Sequence, residues 1–156
     1  MNSTDLAAFI SENAIEAEIL HLNAPTLTVA SAAEALGVRP EQIVKSVLFL
    51  AESQPLLVIT NGLSRIQRKR LADELAMSRR QVKMANQEQV MAITGYPVGA
   101  VPPFGHPHPL QTLIDAGVLD QAVVYGGGGE TDALMRLRSK ELQHATRGRI
   151  VSVSEE

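Results

Sequence analysis

The sequence contains no cysteine and no tryptophan, and only 3% of its residues are aromatic. The lack of cysteine excludes disulfides, thiolate zinc sites and cysteine nucleophiles. The scarcity of aromatic side chains argues against a base-stacking platform for single-stranded nucleic acid. There is also no long apolar run and no basic, apolar leader at the start, so we expect a cytoplasmic protein without membrane association.

What the sequence does contain is typical of a soluble globular domain. Its 156 residues are 45% hydrophobic and 20% charged, with a net charge of -3. A chain of this size can bury one core, so we expect a single domain over residues 1–156. The slight acidity argues against a general nucleic-acid coat protein, although a local basic patch could still attract a polyanion.

The hydrophobic pattern predicts short helices mixed with strands. The runs KSVLFLAE and PLLVITN, separated by Ser53, Gln54 and Pro55, predict a hairpin. In all, about seven strands and four or five helices are expected, which favours an α+β fold with a mixed, strongly bent sheet. The predicted caps are Ser3 or Thr4 for a short lid helix, Ser31 with Glu34 for a helix ending at Gly37, Asn86 for a helix ending at Gly95, and Ser139 for the last helix.

The segment ITGYPVGAVPPFGHPHP, residues 93–109, is too rich in glycine and proline for a helix or strand. Its histidines, His106 and His108, raise the question of a metal site. A metal needs three or four ligands, and the spacing offers no further partners, so we expect no metal. Two interpretations stay open for this pair: polar loop residues, or a substrate contact by His106.

The glycine run in YGGGGETD, residues 125–132, does not fit a phosphate-binding motif. No Lys-Ser or Lys-Thr follows it, and Thr131 stands where GxGxxG requires glycine. A plain turn and a pocket wall with exposed backbone amides remain equally open.

Two groups of cations have both a simple and a functional interpretation. Lys45, at the start of an apolar strand, is either a solvated strand end or an ammonium group placed in a cleft. Seven cations within residues 65–83 form either a solvated helix face or a phosphate-contacting surface: Arg65, Arg68, Lys69, Arg70, Arg79, Arg80 and Lys83. No GxSxG motif or marked carboxylate pair occurs, so spacing alone names no reaction.

The order of three segments carries a resemblance. LGVRPEQIVKSVLFL, GYPVGAVPPFGHPHPLQTLID and VVYGGGGETDALMRLRSKEL together resemble the YbaK and prolyl-tRNA synthetase-associated editing-domain family, from about residue 15 to 153. The resemblance implies a compact α+β fold that hydrolyses amino acids wrongly esterified to tRNA. It implies no cofactor, and as partners the tRNA acceptor end and an aminoacyl-tRNA synthetase.

The resemblance also implies roles for particular residues. Lys45 matches the family's lysine, and Gly99 begins its Gly-x-x-x-Pro loop; both are expected to act in catalysis. A non-catalytic module that binds tRNA ends or a synthetase is the alternative, and the cargo amino acid stays open among alanine, cysteine, serine and others. The expected substrate-binding residues are Ala100, Val101, Pro102, Pro103, His106, Gly127, Gly128 and Asp132, and the expected tRNA contacts are Arg65, Arg68, Lys69, Arg79 and Arg80.

Overall fold

The computed structural model describes residues 1–155, which form five α-helices and ten β-strands. The helices are α1 (Ser3–Glu12), α2 (Val29–Leu36), α3 (Arg68–Glu74), α4 (Gln87–Thr94) and α5 (Ser139–Thr146). The strands are β1 (Ala17–His21), β2 (Val44–Ala51), β3 (Gln54–Asn61), β4 (Arg65–Ile66), β5 (Val82–Met84), β6 (Gln111–Asp115), β7 (Val123–Gly127), β8 (Ala133–Arg138), β9 (Arg149–Val151) and β10 (Ser154–Glu155). Among the described residues, no helix is long and apolar enough to cross a membrane.

The strands form three sheets. The largest has the order β5-β2-β3-β6-β9 and is mixed, since β3, β6 and β9 are parallel and the other pairs antiparallel. A three-stranded antiparallel sheet has the order β1-β8-β7, and β4 pairs with β10. A single bridge between Ile43 and Tyr125 connects the two larger sheets. The predicted α+β class with mixed sheet is confirmed, with more strands than expected because β4, β5 and β10 are too short to show alternation.

The predicted hairpin is confirmed as β2 and β3, which pair from Val44↔Asn61 to Ala51↔Gln54. Its turn consists of Glu52 and Ser53, both with positive φ, so Gln54 and Pro55 belong to the strand rather than to the loop. Side chains alternate between two faces of the hairpin. The α3 face carries Phe49, Leu56 and Val58, which pack with Leu71 of α3. The loop face carries Leu48, Leu57 and Ile59.

Helix α1 is part of the core, and its prediction as a lid is wrong. Leu6 is completely buried in the main hydrophobic cluster, and the Phe9 ring stacks on Phe104 with 5.8 Å between centroids. Its cap is Asn2, whose side chain accepts from the N–H groups of Thr4 and Asp5. The cap therefore lies one residue before Ser3, the earlier of the two predicted caps.

Three other predicted helix boundaries also change. The segment SRIQRKRLADELAM, residues 64–77, predicts a helix because Ile66, Leu71, Leu75 and Met77 have helical spacing. The helix begins only at Arg68, since Arg65 and Ile66 pair with β10 as strand β4. Ser139 is the first residue of α5, whose N-cap is Arg138. Thr28 caps α2 and shares a capping box with Ser31, while the predicted end at Gly37 is confirmed. Helix α4 has its predicted cap at Asn86 and its end at Gly95.

Candidate functional site

A cavity of about 240 Å³ lies where the start of β2 meets the end of β7. Strand β5 pairs only with Phe49–Ala51, so within the described residues the first half of β2 keeps a free edge, and this edge forms one wall of the cavity. We call it the β2-edge cavity. Larger grooves of about 320 and 650 Å³ lie elsewhere on the surface, and of the seven cations in residues 65–83 and the residues expected to act in catalysis or substrate binding they contain only Arg70.

The β2-edge cavity brings together four of the residues predicted from the sequence. Lys45 comes from β2, Gly99 and Val101 from the connection between α4 and β6, and Gly127 from the end of β7. These residues are far apart in the chain. The bridge between the two larger sheets brings the start of β2 to β7, and the Gly129 N–H bond to the Ala100 carbonyl holds the α4–β6 connection beside them. The cavity is thus the candidate functional site.

The connection between α4 and β6, residues 95–110, is held in shape by its own hydrogen bonds, and we call it the proline loop. The Ala100 N–H donates to the Pro97 carbonyl at 3.0 Å. The buried Tyr96 hydroxyl donates to the Gly105 carbonyl at 3.3 Å. Burial, with a smaller contribution from Asp5, raises the pKa of Tyr96 to about 12, so its hydroxyl stays protonated as a donor at neutral pH. The loop is therefore ordered without being a helix or strand.

His106 contributes to the same bracing. Its Nε2 lies 2.8 Å from the Pro102 carbonyl, and because a carbonyl only accepts, Nε2 carries the hydrogen. Burial lowers the pKa of His106 despite the opposing effect of this hydrogen bond. His106 lines a separate cavity of about 360 Å³ behind the loop, and His108 is exposed. No group of three metal-ligating side chains occurs within residues 1–155.

Several backbone N–H groups of the proline loop have no acceptor among the described residues, and three of them belong to residues in the wall of the β2-edge cavity: Val98, Gly99 and Val101. The Ala100 N–H is used in the turn. Gly99 has a φ of +92°, which favours glycine, and no protein atom lies within 4 Å of the position that a Cβ would occupy. The loop therefore offers unpaired donors beside open space.

The glycine run is explained by close packing of backbones. A Cβ at position 127 would lie 2.2 Å from the Val101 carbonyl oxygen, and one at position 128 would lie 2.5 Å from the Ala133 carbonyl carbon. The Gly129 N–H donates to the Ala100 carbonyl at 3.0 Å, which ties the run to the proline loop. From the sequence, the glycine run is either a plain turn or a pocket wall. Gly127 lies in the wall of the β2-edge cavity, while Gly128 is buried against β8.

Lys45 is exposed at the start of β2, directly opposite Thr60 of β3. Strand alternation places it on the α3 face of the hairpin, on the same side of the sheet as the helix that carries Arg68 and Lys69. All seven cations of residues 65–83 are exposed, and none forms an ion pair within the described part of the chain. We call these seven side chains the basic surface. Arg70 alone is held, by a hydrogen bond to the Ser154 carbonyl.

The remaining predicted residues lie outside the cavity wall. Ala100 is completely buried, and Pro102 and Pro103 are buried behind the loop. Asp132 is exposed at the start of β8, where its carbonyl accepts from the Leu22 N–H at 2.7 Å. These residues support the cavity rather than face it.

The sequence did not point to Thr26 and Ser46, which also line the cavity. The sequence pattern could have indicated Ser46, because this serine shares one face of the strand with Val44 and Leu48 and so places a hydroxyl on an apolar face. Thr26 lies in an irregular connection, and its sequence context carries no comparable signal.

Comparisons with known proteins agree with this geometry. The family model described as "Aminoacyl-tRNA editing domain" matches residues 23–145. The protein YwhH of Bacillus subtilis, which is uncharacterised, is 28% identical over 81% of this chain and 80% of its own length. The proline–tRNA ligase of Lactobacillus gasseri is 33% identical over 67% of this chain, which corresponds to only 18% of that ligase.

A solved structure described as a candidate trans-editing enzyme for prolyl-tRNA synthetase superposes with a TM-score of 0.92. It is 28% identical in sequence, and the match covers 99% of this chain and 97% of that one. Together with the family match over most of the chain, these likenesses establish membership: the chain belongs to the aminoacyl-tRNA editing domain family.

Proposed function

We propose that this protein hydrolyses the ester bond of mischarged aminoacyl-tRNA at the β2-edge cavity. The observation that carries the proposal is the meeting of Lys45, Gly99, Val101 and Gly127 around one cavity in a chain of the editing family. The proposal uses no cofactor and needs no side-chain nucleophile. An aminoacyl ester is already activated, so placing a water and stabilising the developing oxyanion is sufficient.

The unpaired N–H groups of Gly99 and Val101 are the proposed oxyanion donors. Attack of water on the ester carbonyl converts its oxygen into an oxyanion, and donors fixed beforehand stabilise that charge without reorganising. Gly99 lets the ester approach the backbone because no side chain covers it. The bracing of the proline loop by Tyr96 and His106 supports this role, since a fixed loop loses little entropy on binding.

Lys45 is proposed to hold the terminal nucleotide's phosphate or to orient the ester. Its ammonium group is a compact charge on a flexible stem, held by a strand that is paired along its whole length with β3. The ribose 2′-hydroxyl of the substrate assists the attacking water in this scheme, as the family resemblance suggests. The basic surface, part of which lies on the same side of the sheet as Lys45, is proposed to contact the tRNA backbone.

The test is the release of amino acid from a panel of mischarged tRNAs by the wild-type protein and by Lys45→Ala. We expect turnover of at least one substrate, and a reduction of about 10²–10³-fold in kcat/KM for Lys45→Ala, as for removal of one positioned donor. Lys45 is exposed, so its removal should leave folding intact. Lys140→Ala, which removes an exposed ammonium group on α5, is the matched control and should retain activity.

Two outcomes contradict the proposal. Full activity in Lys45→Ala excludes the role assigned to that residue. Binding of tRNA without turnover of any mischarged substrate favours the alternative, a module that binds tRNA ends or a synthetase without catalysis.

A further inference from the structure

Two buried hydroxyl groups have no hydrogen-bond partner in the described part of the chain, and both belong to the wall of the β2-edge cavity. They are Thr26 Oγ1 and Ser46 Oγ. Buried polar atoms in native proteins are nearly always paired, because a buried group without a partner costs about 1–3 kcal/mol. Both exceptions of residues 1–155 thus fall in the candidate active site.

Ser46 lies on the loop face of the hairpin. It pairs directly opposite Ile59, and alternation places its side chain on the same side of the strand as Val44 and Leu48. Leu48 in turn packs with Val101 of the proline loop. The Ser46 hydroxyl is therefore surrounded by aliphatic side chains at the end of the cavity that lies beneath the loop.

Thr26 approaches the cavity from a different segment, the connection between β1 and α2. Its backbone is fixed, since its N–H donates to the Thr131 carbonyl at 2.9 Å. Its hydroxyl is left without a bond. Two segments far apart in sequence thus each contribute one unpaired hydroxyl to the same small cavity. Strain within one segment would leave an unpaired group in that segment alone and would not explain the pair.

We propose that Thr26 and Ser46 form a polar subsite for the side chain of the esterified amino acid, and that the protein prefers serine to alanine. This inference rests on the proposed deacylase function. With the ester carbonyl at the Gly99 and Val101 amides, the amino-acid side chain is the part of the substrate that reaches the loop face. A serine hydroxyl both donates and accepts, so one group satisfies both orphan hydroxyls.

Alanine has the same shape without the hydroxyl, so it leaves both protein groups unpaired. Sites built to bind a substrate hydroxyl discriminate strongly against analogues that lack one, whereas an added methyl group is discriminated weakly. We therefore expect threonine to be accepted better than alanine, and serine best.

The experiment compares deacylation of one tRNA carrying serine, threonine or alanine. Proline-specific tRNA is chosen because the curated relatives include proline–tRNA ligases. We expect the wild type to hydrolyse the seryl ester at least about ten-fold faster than the alanyl ester. Ser46→Ala and Thr26→Val should each slow seryl hydrolysis about ten-fold and leave alanyl hydrolysis within about two-fold.

Two variants serve as controls. Thr26→Ser retains the hydroxyl and should retain the preference for serine. Ser152→Ala removes an exposed hydroxyl outside the cavity and should change neither rate.

The possible failures are distinguishable. Equal seryl and alanyl rates in the wild type would overturn the subsite while leaving the deacylase function in place. An equal reduction on both esters in Ser46→Ala would assign its hydroxyl to the ribose or the ester, and would likewise overturn it. Hydrolysis of no ester at all would overturn the proposed function and this inference together.

A second readout does not depend on activity. Because the Ser46 hydroxyl has no partner within the fold, Ser46→Ala should keep or raise the Tm of the free protein. A clear fall in Tm would show that the hydroxyl bonds within the structure, and would overturn its assignment to the substrate.

Discussion

Two glycines of the site are required for different reasons, and the difference is measurable. Gly127 has no room for a side chain, since a Cβ would lie 2.2 Å from the Val101 carbonyl oxygen. Gly99 has open space on that side but a φ of +92°. The first glycine serves packing between the proline loop and β7, and the second serves backbone conformation and access to the unpaired amides.

We therefore expect Gly127→Ala to lower the free energy of unfolding by about 3 kcal/mol or more, because two backbones must separate. Gly99→Ala should cost only about 1–2 kcal/mol, the strain of a non-glycine residue at positive φ. Gly99→Ala should nevertheless lose most of its deacylase activity, since the new methyl group lies beside the proposed oxyanion donors. Urea denaturation of the two variants, each the control for the other, measures the difference. Equal reductions in stability would contradict this assignment.

At the same scale, the sequence predicted residues that the fold brings around one cavity, while their roles stay predictions. Lys45, Gly99, Val101 and Gly127 were all predicted, and the cavity includes them. His106 was expected as a substrate contact, yet its ring is bonded to the Pro102 carbonyl within the loop and lines a different cavity, which no local sequence pattern reveals. Residue type shows which side chains can donate, accept or carry charge, whereas the tertiary fold determines which of them line the same cavity.

Among the elements, the proline loop is braced in part by the His106 imidazole, and this bond should appear in the effect of pH on stability. Burial in the fold lowers the pKa of His106 below the ordinary value of 6.5. Between the folded pKa and about 6.5, the unfolded chain binds more protons than the folded one, so stability falls as pH decreases through that window. His106→Gln, which keeps an N–H donor, should lose this part of the pH dependence.

Thermal unfolding between pH 5 and 8 tests this expectation. His108→Gln is the matched control, because it removes an exposed imidazole from the same loop and should leave the pH profile unchanged. An identical profile for wild type and His106→Gln would contradict the bracing role.

Elements with a strong local signal were predicted well, and elements defined by pairing were not. The β2–β3 hairpin and the ends of α2 and α4 follow from apolar runs and capping residues. Strand β4 has only two residues and forms because β10 pairs with it. Since the partner strand is distant in sequence, the local pattern around Arg65 predicts a helix instead. The burial of α1 depends on Phe104, nearly 100 residues away, which no window of sequence contains.

For the whole molecule, the five-stranded sheet separates two tasks. Its loop face contributes Ser46 to the β2-edge cavity, and its α3 face carries part of the basic surface together with Lys45, which lines the same cavity at the free edge of β2. The chain has a net charge of -3 but concentrates seven cations within residues 65–83. Such an uneven distribution strengthens the attraction for a polyanion around residues 65–83, as the proposed contact with the tRNA backbone requires.

This arrangement predicts how tRNA affinity responds to salt. In a plot of the logarithm of the tRNA association constant against the logarithm of the salt concentration, removing one phosphate-binding cation should make the slope shallower by about 1. The reason is that fewer counterions are released on binding. The double variant Arg68→Gln, Lys69→Gln should thus reduce this slope by about 2 and weaken tRNA binding at low salt. The control is Arg136→Gln with Lys140→Gln, which removes two exposed cations outside the basic surface and should change the slope little. Filter binding across a salt series measures both. A wild-type affinity that does not respond to salt would exclude the basic surface as the tRNA-binding region, and would leave the cavity to bind the acceptor end alone.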